Sequence, residues 1–327
     1  MKTLFCSCLL LLTLNLASTS TVVAQTPDTA TIYRTDVSFK SGGLLVKGWV
    51  IMPASPKGGK LPAIVMAPGF SGTKECNYQF FADHFAKSGF AVLLFDYPNF
   101  GESAVHVKGE VDPWQQIQAY RDGISFLETL PDIDLKRIGV WGGSYSGGHT
   151  LVVSAIDHRV KCLVAMTPFI SGSYYVEKLP PEAKAFLHQQ FDADRLARTK
   201  DGEPARIPVA GNDPHQFTAI SSPHAWEFIQ SFKTYAPTFE NLVTLKSLEM
   251  QLEYEPGRFV PQIGAKPKLF IIAKKDELVP EQLILDAYNK AAEPKKLLYL
   301  DGHHFSPYMD KWQEAGDMAI EWFKSNL

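Results

Sequence analysis

From Ile32 onward the chain moves between two hydrophobic periods. Apolar and polar residues alternate over Ile32–Lys40 and Leu44–Met52, on either side of Ser41-Gly42-Gly43, which predicts an antiparallel hairpin. Short unbroken apolar runs follow at Ala63–Ala67, Phe90–Phe95, Arg137–Trp141, Lys161–Met166, Lys268–Ala273 and Lys296–Leu300. Such runs suit strands buried on both faces of a parallel sheet. Between them, apolar residues recur at helical spacing over Tyr78–Ser88, Trp114–Leu130, Tyr145–Ile156, Pro280–Ala292 and Pro307–Lys324. Strand and helix in alternation, after an antiparallel start, predict an α/β fold: a mostly parallel central sheet flanked by helices.

Two stretches break this rhythm. Residues 173–265 contain prolines, charged segments and helical patterns but no buried-strand run, and read as a mainly helical cap inserted into a core of residues 25–172 and 266–327. Trp226, Phe228, Ile229, Phe232, Tyr235 and Phe239 form an aromatic stripe near helical spacing there, as an internal packing face would. At the other end, Lys2, the apolar stretch Phe5–Leu16 and Val22-Val23-Ala24 have the order of a secretory signal peptide, residues 1–24. The apolar stretch is shorter than the ~20 residues that span a bilayer. This pattern predicts export, to a periplasm or outside the cell, and no membrane span.

Composition narrows the partners. With 327 residues, 45% hydrophobic and 20% charged, the chain is ordinary globular material, and its net charge of −3 has no basic block behind it. Nucleic acid and anionic membrane surfaces are therefore not expected partners. Cys6 and Cys8 fall in the leader, leaving Cys76 and Cys162; a disulfide between these two needs close, well-oriented β-carbons, and Cys162 lies in an apolar run that suits a buried thiol. No Cys/His spacing suggests zinc, so neither a metal nor a cofactor is expected.

The chemistry concentrates in Arg137-Ile-Gly-Val-Trp-Gly-Gly-Ser144-Tyr-Ser-Gly-Gly148, a strand running straight into a helix. A serine on such a tight turn needs small neighbours. Gly142 stands two before Ser144, but Ser146 occupies the later glycine position of the G-x-S-x-G pattern. Ser146 as nucleophile is the alternative registration; Ser144 is preferred because it directly follows the strand. An activated serine needs a base and an orienting acid, placed after late strands in this topology. Asp276 follows the Lys268–Ala273 run, with Glu277 beside it, and His303-His304 follows the next run. Adjacent side chains diverge, so one of the two histidines can face the serine. The backbone N–H groups of Tyr145, after the serine, and Phe70, in Ala67-Pro68-Gly69-Phe70-Ser71-Gly72, are the candidate oxyanion donors. Asp301 is a further acid near the histidines, or a turn residue before Gly302, and Asp96–Ser103 is a turn after a strand.

The segments Ala67–Glu75, Phe95–Ser103, Trp141–Gly148 and Gly302-His-His-Phe-Ser-Pro-Tyr308 resemble the α/β-hydrolase superfamily. Within it the chain is most similar to the Xaa-Pro dipeptidyl-peptidase-like and dienelactone-hydrolase-like group, which includes acyl hydrolases and transferases of polyketide pathways. Relatives often end in Gly-His-Phe-Asp-x-Tyr with a catalytic histidine. That histidine matches His304; here Ser306 replaces the Asp and His303 is extra. Asn241–Glu249 and Tyr254-Glu-Pro256 also resemble the segment that leads back from the cap. The resemblance implies a serine hydrolase of carboxylic esters or thioesters, with Ser144 attacking, His304 relaying the proton and Asp276 orienting it. The expected partner is a small acyl ester, a thioester or a short peptide. A dipeptidyl peptidase or an acyltransferase would use the same residues, and a non-catalytic binding protein is the contrasting class.

Overall fold

The computed structural model describes residues 31–54 and 59–327. The expected leader, residues 1–24, lies outside the described residues. The chain enters through a hairpin, β1 (Ile32–Ser41) and β2 (Leu44–Pro53), whose ladder closes at Ser41 opposite Leu44. Gly42 and Gly43, at φ 55° and 84°, take the left-handed turn that matches the twist of paired strands. The core then alternates: β3 (Leu61–Met66), α1 (Tyr78–Lys87), β4 (Ala91–Phe95), α2 (Pro113–Leu127), β5 (Ile133–Gly143), α3 (Tyr145–Ile156) and β6 (Val160–Met166). An excursion follows through α4 (Gly172–Lys178), α5 (Pro181–Arg198), β7 (Arg206–Ile207), α6 (Pro223–Phe232), β8 (Val243–Thr244) and α7 (Leu245–Glu253). The chain returns through a 3₁₀ turn, Pro256–Ile263, to β9 (Lys268–Ala273), α8 (Glu281–Lys290), β10 (Lys295–Leu300) and α9 (Trp312–Asn326).

Eight strands form one sheet in the order β1-β2-β4-β3-β5-β6-β9-β10, antiparallel only where β2 meets β1 and β4. From β3 the chain goes to β4 on one side and then to β5 on the other. That reversal opens a crevice at the carboxyl ends of β3 and β5, where such sheets hold ligands. Val65 and Val140 are paired across β3 and β5, as are Met66 and Trp141 one residue on. Gly123 of α2 lies over Val65, whereas Phe81 and Phe85 of α1 pack on Trp141, so the two helices cover opposite faces. All five residues of β4 are buried, as unbroken apolar runs require.

The structure alters several element boundaries. The last expected helix, Pro307–Lys324, is divided into a 3₁₀ turn at Ser306–Tyr308 and α9 from Trp312, since the Lys311 N–H bonds back to the Ser306 carbonyl. Helix α2 starts at Pro113 because the Asp112 side chain accepts from the Trp114 and Gln115 N–H groups. The excursion between β6 and β9 also holds a ribbon, with Arg206 opposite Thr244 and Ile207 opposite Val243. Two residues per strand are too few to show a period. The 3₁₀ turn within residues 173–265 lies on α3: Pro256 closes over Gly148, and the Gly257 N–H donates to the Ile170 carbonyl. Cys76 and Cys162 are both free and buried, and burial pushes the Cys76 thiol up to about 12. Among the described residues no helix is long and apolar enough to cross a membrane.

Two buried polar contacts hold loops against this core. Lys74, wholly buried, places Nζ 2.8 Å from Asp96 Oδ2 and 2.5 Å from Glu102 Oε2, while its N–H donates to Asp96 Oδ1. Burial disfavours the Lys74 cation, but the two carboxylates more than offset this and hold its pKa above the ordinary lysine value. This pair ties the loop after β3 to the loop after β4. His149, inside α3, donates from one ring nitrogen to Gln116 Oε1 and accepts at the other from the Tyr254 hydroxyl, both at 2.9 Å. Burial lowers its pKa to about 3.

Two outcomes are expected. Lys74→Met strands the Asp96 carboxylate in the core and lowers the unfolding free energy by about 3–5 kcal/mol in urea titrations. His149 binds a proton in the unfolded chain near pH 6.5 but only near pH 3 when folded. Its contribution is therefore complete above about pH 6.5 and declines as pH falls from there towards 3. Equilibrium unfolding of His149→Gln across this window should show a shallower loss of stability with acid than the native chain.

Candidate active site

Strand β5 ends in two glycines because nothing larger fits. A methyl on Gly142 would run into the Ser146 carbonyl, and one on Gly143 into the Tyr308 hydroxyl. The next residue, Ser144, sits at φ 57° and ψ −122°, a conformation that side chains rarely adopt and that costs about 1–3 kcal/mol. Its neighbours hold it there. The Ser144 N–H donates to the Met166 carbonyl at 2.9 Å, and its carbonyl accepts from Phe169 N–H at 2.9 Å and Gly148 N–H at 3.1 Å. The side chain is thereby aimed out of the sheet, at the start of α3.

His304 meets it. Nε2 lies 2.9 Å from Ser144 Oγ, and Nδ1 lies 2.9 and 2.8 Å from the two oxygens of Asp276. An ionised carboxylate only accepts, so Nδ1 carries the imidazole proton and Nε2 is left to accept from the serine hydroxyl. Asp276 Oδ1 also accepts from the Leu278 and Val279 N–H groups at 2.9 and 2.7 Å, which fixes the carboxylate after β9. The His304 and Asp276 side chains are each 1% exposed, so their charges are shielded from bulk water.

The competing residues take other places. Ser146 is fully buried; its hydroxyl donates to the Ala67 carbonyl at 2.8 Å and lies 2.6 Å from the Tyr120 hydroxyl. A small residue is needed there beside Gly142, and serine meets that need while bonding the end of β3. Glu277 is not the acid on the imidazole: Oε1 accepts from Ser222 Oγ at 2.8 Å and Oε2 from the His304 N–H at 3.2 Å. Ser222 in turn caps α6. This link from the excursion to the His304 backbone was not legible beforehand, since Ser222 carries no sequence signal beyond an N-cap before Pro223. Asp301 forms an exposed pair with Lys274, and Asp96 is buried with Lys74, so neither acid contacts Ser144.

His303 turns away from Ser144 and stacks on His224, ring centroids 3.8 Å apart and planes 8° from parallel. Burial, and then His224, hold its pKa below the ordinary histidine value. With Glu227 these two histidines bring ligand atoms within 4.8 Å of one another. The geometry does not suit a metal, however. His303 Nδ1 already accepts from the Phe305 N–H, which places the ring proton on Nε2, and stacked rings direct their lone pairs into parallel planes.

The loop after β3 presses on the serine turn. A Cβ on Gly69 would lie 3.2 Å from the Gly143 carbonyl and 3.5 Å from Ser144 Cβ, and the Gly69 N–H is held by the Tyr78 hydroxyl at 2.7 Å. Phe70 and Tyr145 therefore flank Ser144, with their rings edge to face at 5.4 Å. Ser144, His304, Phe70 and Tyr145 all line a cavity of about 490 Å³ under the excursion, walled mainly by apolar side chains. A second cavity of about 40 Å³ also borders Ser144, lined by α6 and by Phe305 and Tyr308.

Comparison with known proteins identifies the fold family. Residues 62–310 match the family model of the α/β-hydrolase fold. The thiohydrolase aneE of Aspergillus aculeatus is 33% identical over 251 residues, covering 74% of this chain and 79% of the relative. The quorum-quenching protein AidA of Acinetobacter baumannii is 27% identical over 268 residues, covering 82% and 87%. The crystal structure of the α/β hydrolase GrgF from Penicillium sp. sh18 superposes with a TM-score of 0.77 at 24% identity, covering 90% of this chain and 99% of that one. With its sheet order, its serine turn and a family match over most of its length, the chain belongs to the α/β-hydrolase fold family.

Proposed function

We propose that this protein is a serine hydrolase of carboxylic esters or thioesters that works through an acyl-enzyme intermediate. The observation that carries the proposal is the continuous chain from Ser144 Oγ through His304 to Asp276, with every link between 2.8 and 2.9 Å. Ser144 Oγ attacks the carbonyl carbon while His304 Nε2 takes its proton. The imidazolium so formed is stabilised by Asp276, which stays ionised. Charge develops on the carbonyl oxygen, towards the Phe70 and Tyr145 N–H groups; each such donor contributes about 3 kcal/mol to the transition state. His304 then protonates the leaving alcohol or thiol, and the same base activates the water that releases the acid.

The cavity favours esters and thioesters over Xaa-Pro peptides. A dipeptidyl peptidase must hold a free amino terminus on carboxylates. Among the described residues lining the large cavity, Glu277 is the carboxylate present, and both of its oxygens already have partners. The thiohydrolase name of the 33% identical relative supports the same choice of substrate class. We also propose that the enzyme is exported, on the leader pattern of residues 1–24; N-terminal sequencing of the mature protein, starting at Gln25, is the check.

A fluorophosphonate probe should label the native protein but not Ser144→Ala, while Ser146→Ala keeps the label. Hydrolysis of p-nitrophenyl acetate should fall at least about 10³-fold in kcat/KM for Ser144→Ala and His304→Ala. His303→Ala should remain within about tenfold of the native enzyme, because its ring faces His224. Labelling that persists in Ser144→Ala would overturn the assignment.

A further inference from the structure

Ser144 borders two chambers of very different size. The larger, about 490 Å³, lies beneath α5 and α7 and is walled by Ala183, Leu187, Leu248, Leu252 and Leu278, with Phe186 at 45% exposure at its rim. The smaller, about 40 Å³, lies beneath α6, with Phe228, Ile229 and Phe232 on one side and Phe305 and Tyr308 on the other. Three residues border both chambers: Phe70, Ser144 and Ile220. Ser144 is thus bordered by both chambers.

The small chamber is packed rather than merely narrow. Phe228 stacks on Phe305 at 5.1 Å and lies 5.5 Å from the Tyr308 ring, and Phe232 meets Phe239 edge to face at 5.0 Å. Ile229, Phe232, Phe305 and Tyr308 are all less than a tenth exposed. Interiors packed in this way yield little to an extra methylene. At about 40 Å³ against about 490 Å³, the chamber offers far less free space than its neighbour.

A carbonyl carbon bonded to Ser144 Oγ carries two groups besides its oxygen, the acyl chain and the leaving group, and they diverge. With the oxygen turned towards the Phe70 and Tyr145 amides, each group enters a different chamber. We propose that the enzyme selects esters or thioesters with one short flank and one long apolar flank. Phe228 and Ile229 set the limit on the short one. This rests on the serine-hydrolase reading above and specifies the substrate class of that same site.

The test compares hexyl acetate, methyl hexanoate and hexyl hexanoate by pH-stat. The native enzyme should turn over the better of the two mixed esters at least tenfold faster, in kcat/KM, than hexyl hexanoate. Which mixed ester is preferred identifies the long flank as acyl chain or alcohol. Phe228→Ala or Ile229→Ala should raise hexyl hexanoate at least tenfold relative to that mixed ester. A ratio measured on one preparation cancels any loss of folded enzyme. The proposal is overturned if native enzyme hydrolyses hexyl hexanoate as fast as the better mixed ester, or if neither variant moves the ratio. Absence of both probe labelling and p-nitrophenyl acetate hydrolysis would instead overturn the serine-hydrolase reading itself.

Discussion

The backbone of Ser144 is held where a side-chain-bearing residue does not rest by choice, and much of the neighbouring structure exists to keep it there. The Met166 carbonyl, at the end of the adjacent strand, holds its N–H, and the Phe169 N–H holds its carbonyl. Glycines at 142 and 143 let Ser146 and Tyr308 close in behind the turn. Hydrogen bonds to two sides of one residue over-determine its dihedrals, which is the condition for retaining such strain. The fixed backbone thus presents the hydroxyl to His304, 2.9 Å from Nε2.

The contacts around this turn connect it to every layer of the fold. Lys74 and Asp96 anchor the loop whose Phe70 N–H is the proposed oxyanion donor, and neither lines the cavities at the serine. Glu277 spans from the cap of α6 to the backbone of His304, so the position of the excursion and that of the proposed base are mechanically linked. His149 links α2, α3 and the returning chain at Tyr254 behind Tyr145. Each of these groups is distant from the reacting atoms in role but fixes a segment that touches them.

Much of this arrangement was legible in the order of residues. Unbroken apolar runs marked β3, β4, β5, β6, β9 and β10 to within a few positions, and the Gly42-Gly43 pair marked the hairpin, because burial and positive φ both restrict composition; β10, expected to be buried on both faces, is instead the half-buried edge of the sheet. Ser144, Asp276 and His304 each follow such a strand, and the structure brings the three together. What escaped was non-local or too short to have a period. The ribbon of two residues per strand, the interruption between Tyr308 and Trp312, and the bond from Ser222 to Glu277 depend on partners far along the chain. The serine in place of glycine at 146 is explained only by Tyr120 and the Ala67 carbonyl, 26 and 79 positions away.

Local chemistry along the chain was thus enough to specify an α/β sheet with a serine, an acid and a histidine at its strand ends, because hydrophobic period and turn composition act over a few residues. It favoured Ser144 over Ser146 by its place directly after the strand, but His304 over His303 only through the family resemblance, since neighbours in sequence share the same local signals. Packing shows why the other members of each pair face elsewhere: Ser146 is drawn into the core by Tyr120, and His303 is drawn out to His224. The unequal chambers bordering Ser144 are likewise a product of folding. One lies between α6 and the His304 loop and the other between α5, α7 and the sheet, and segments so distant in sequence meet only in three dimensions.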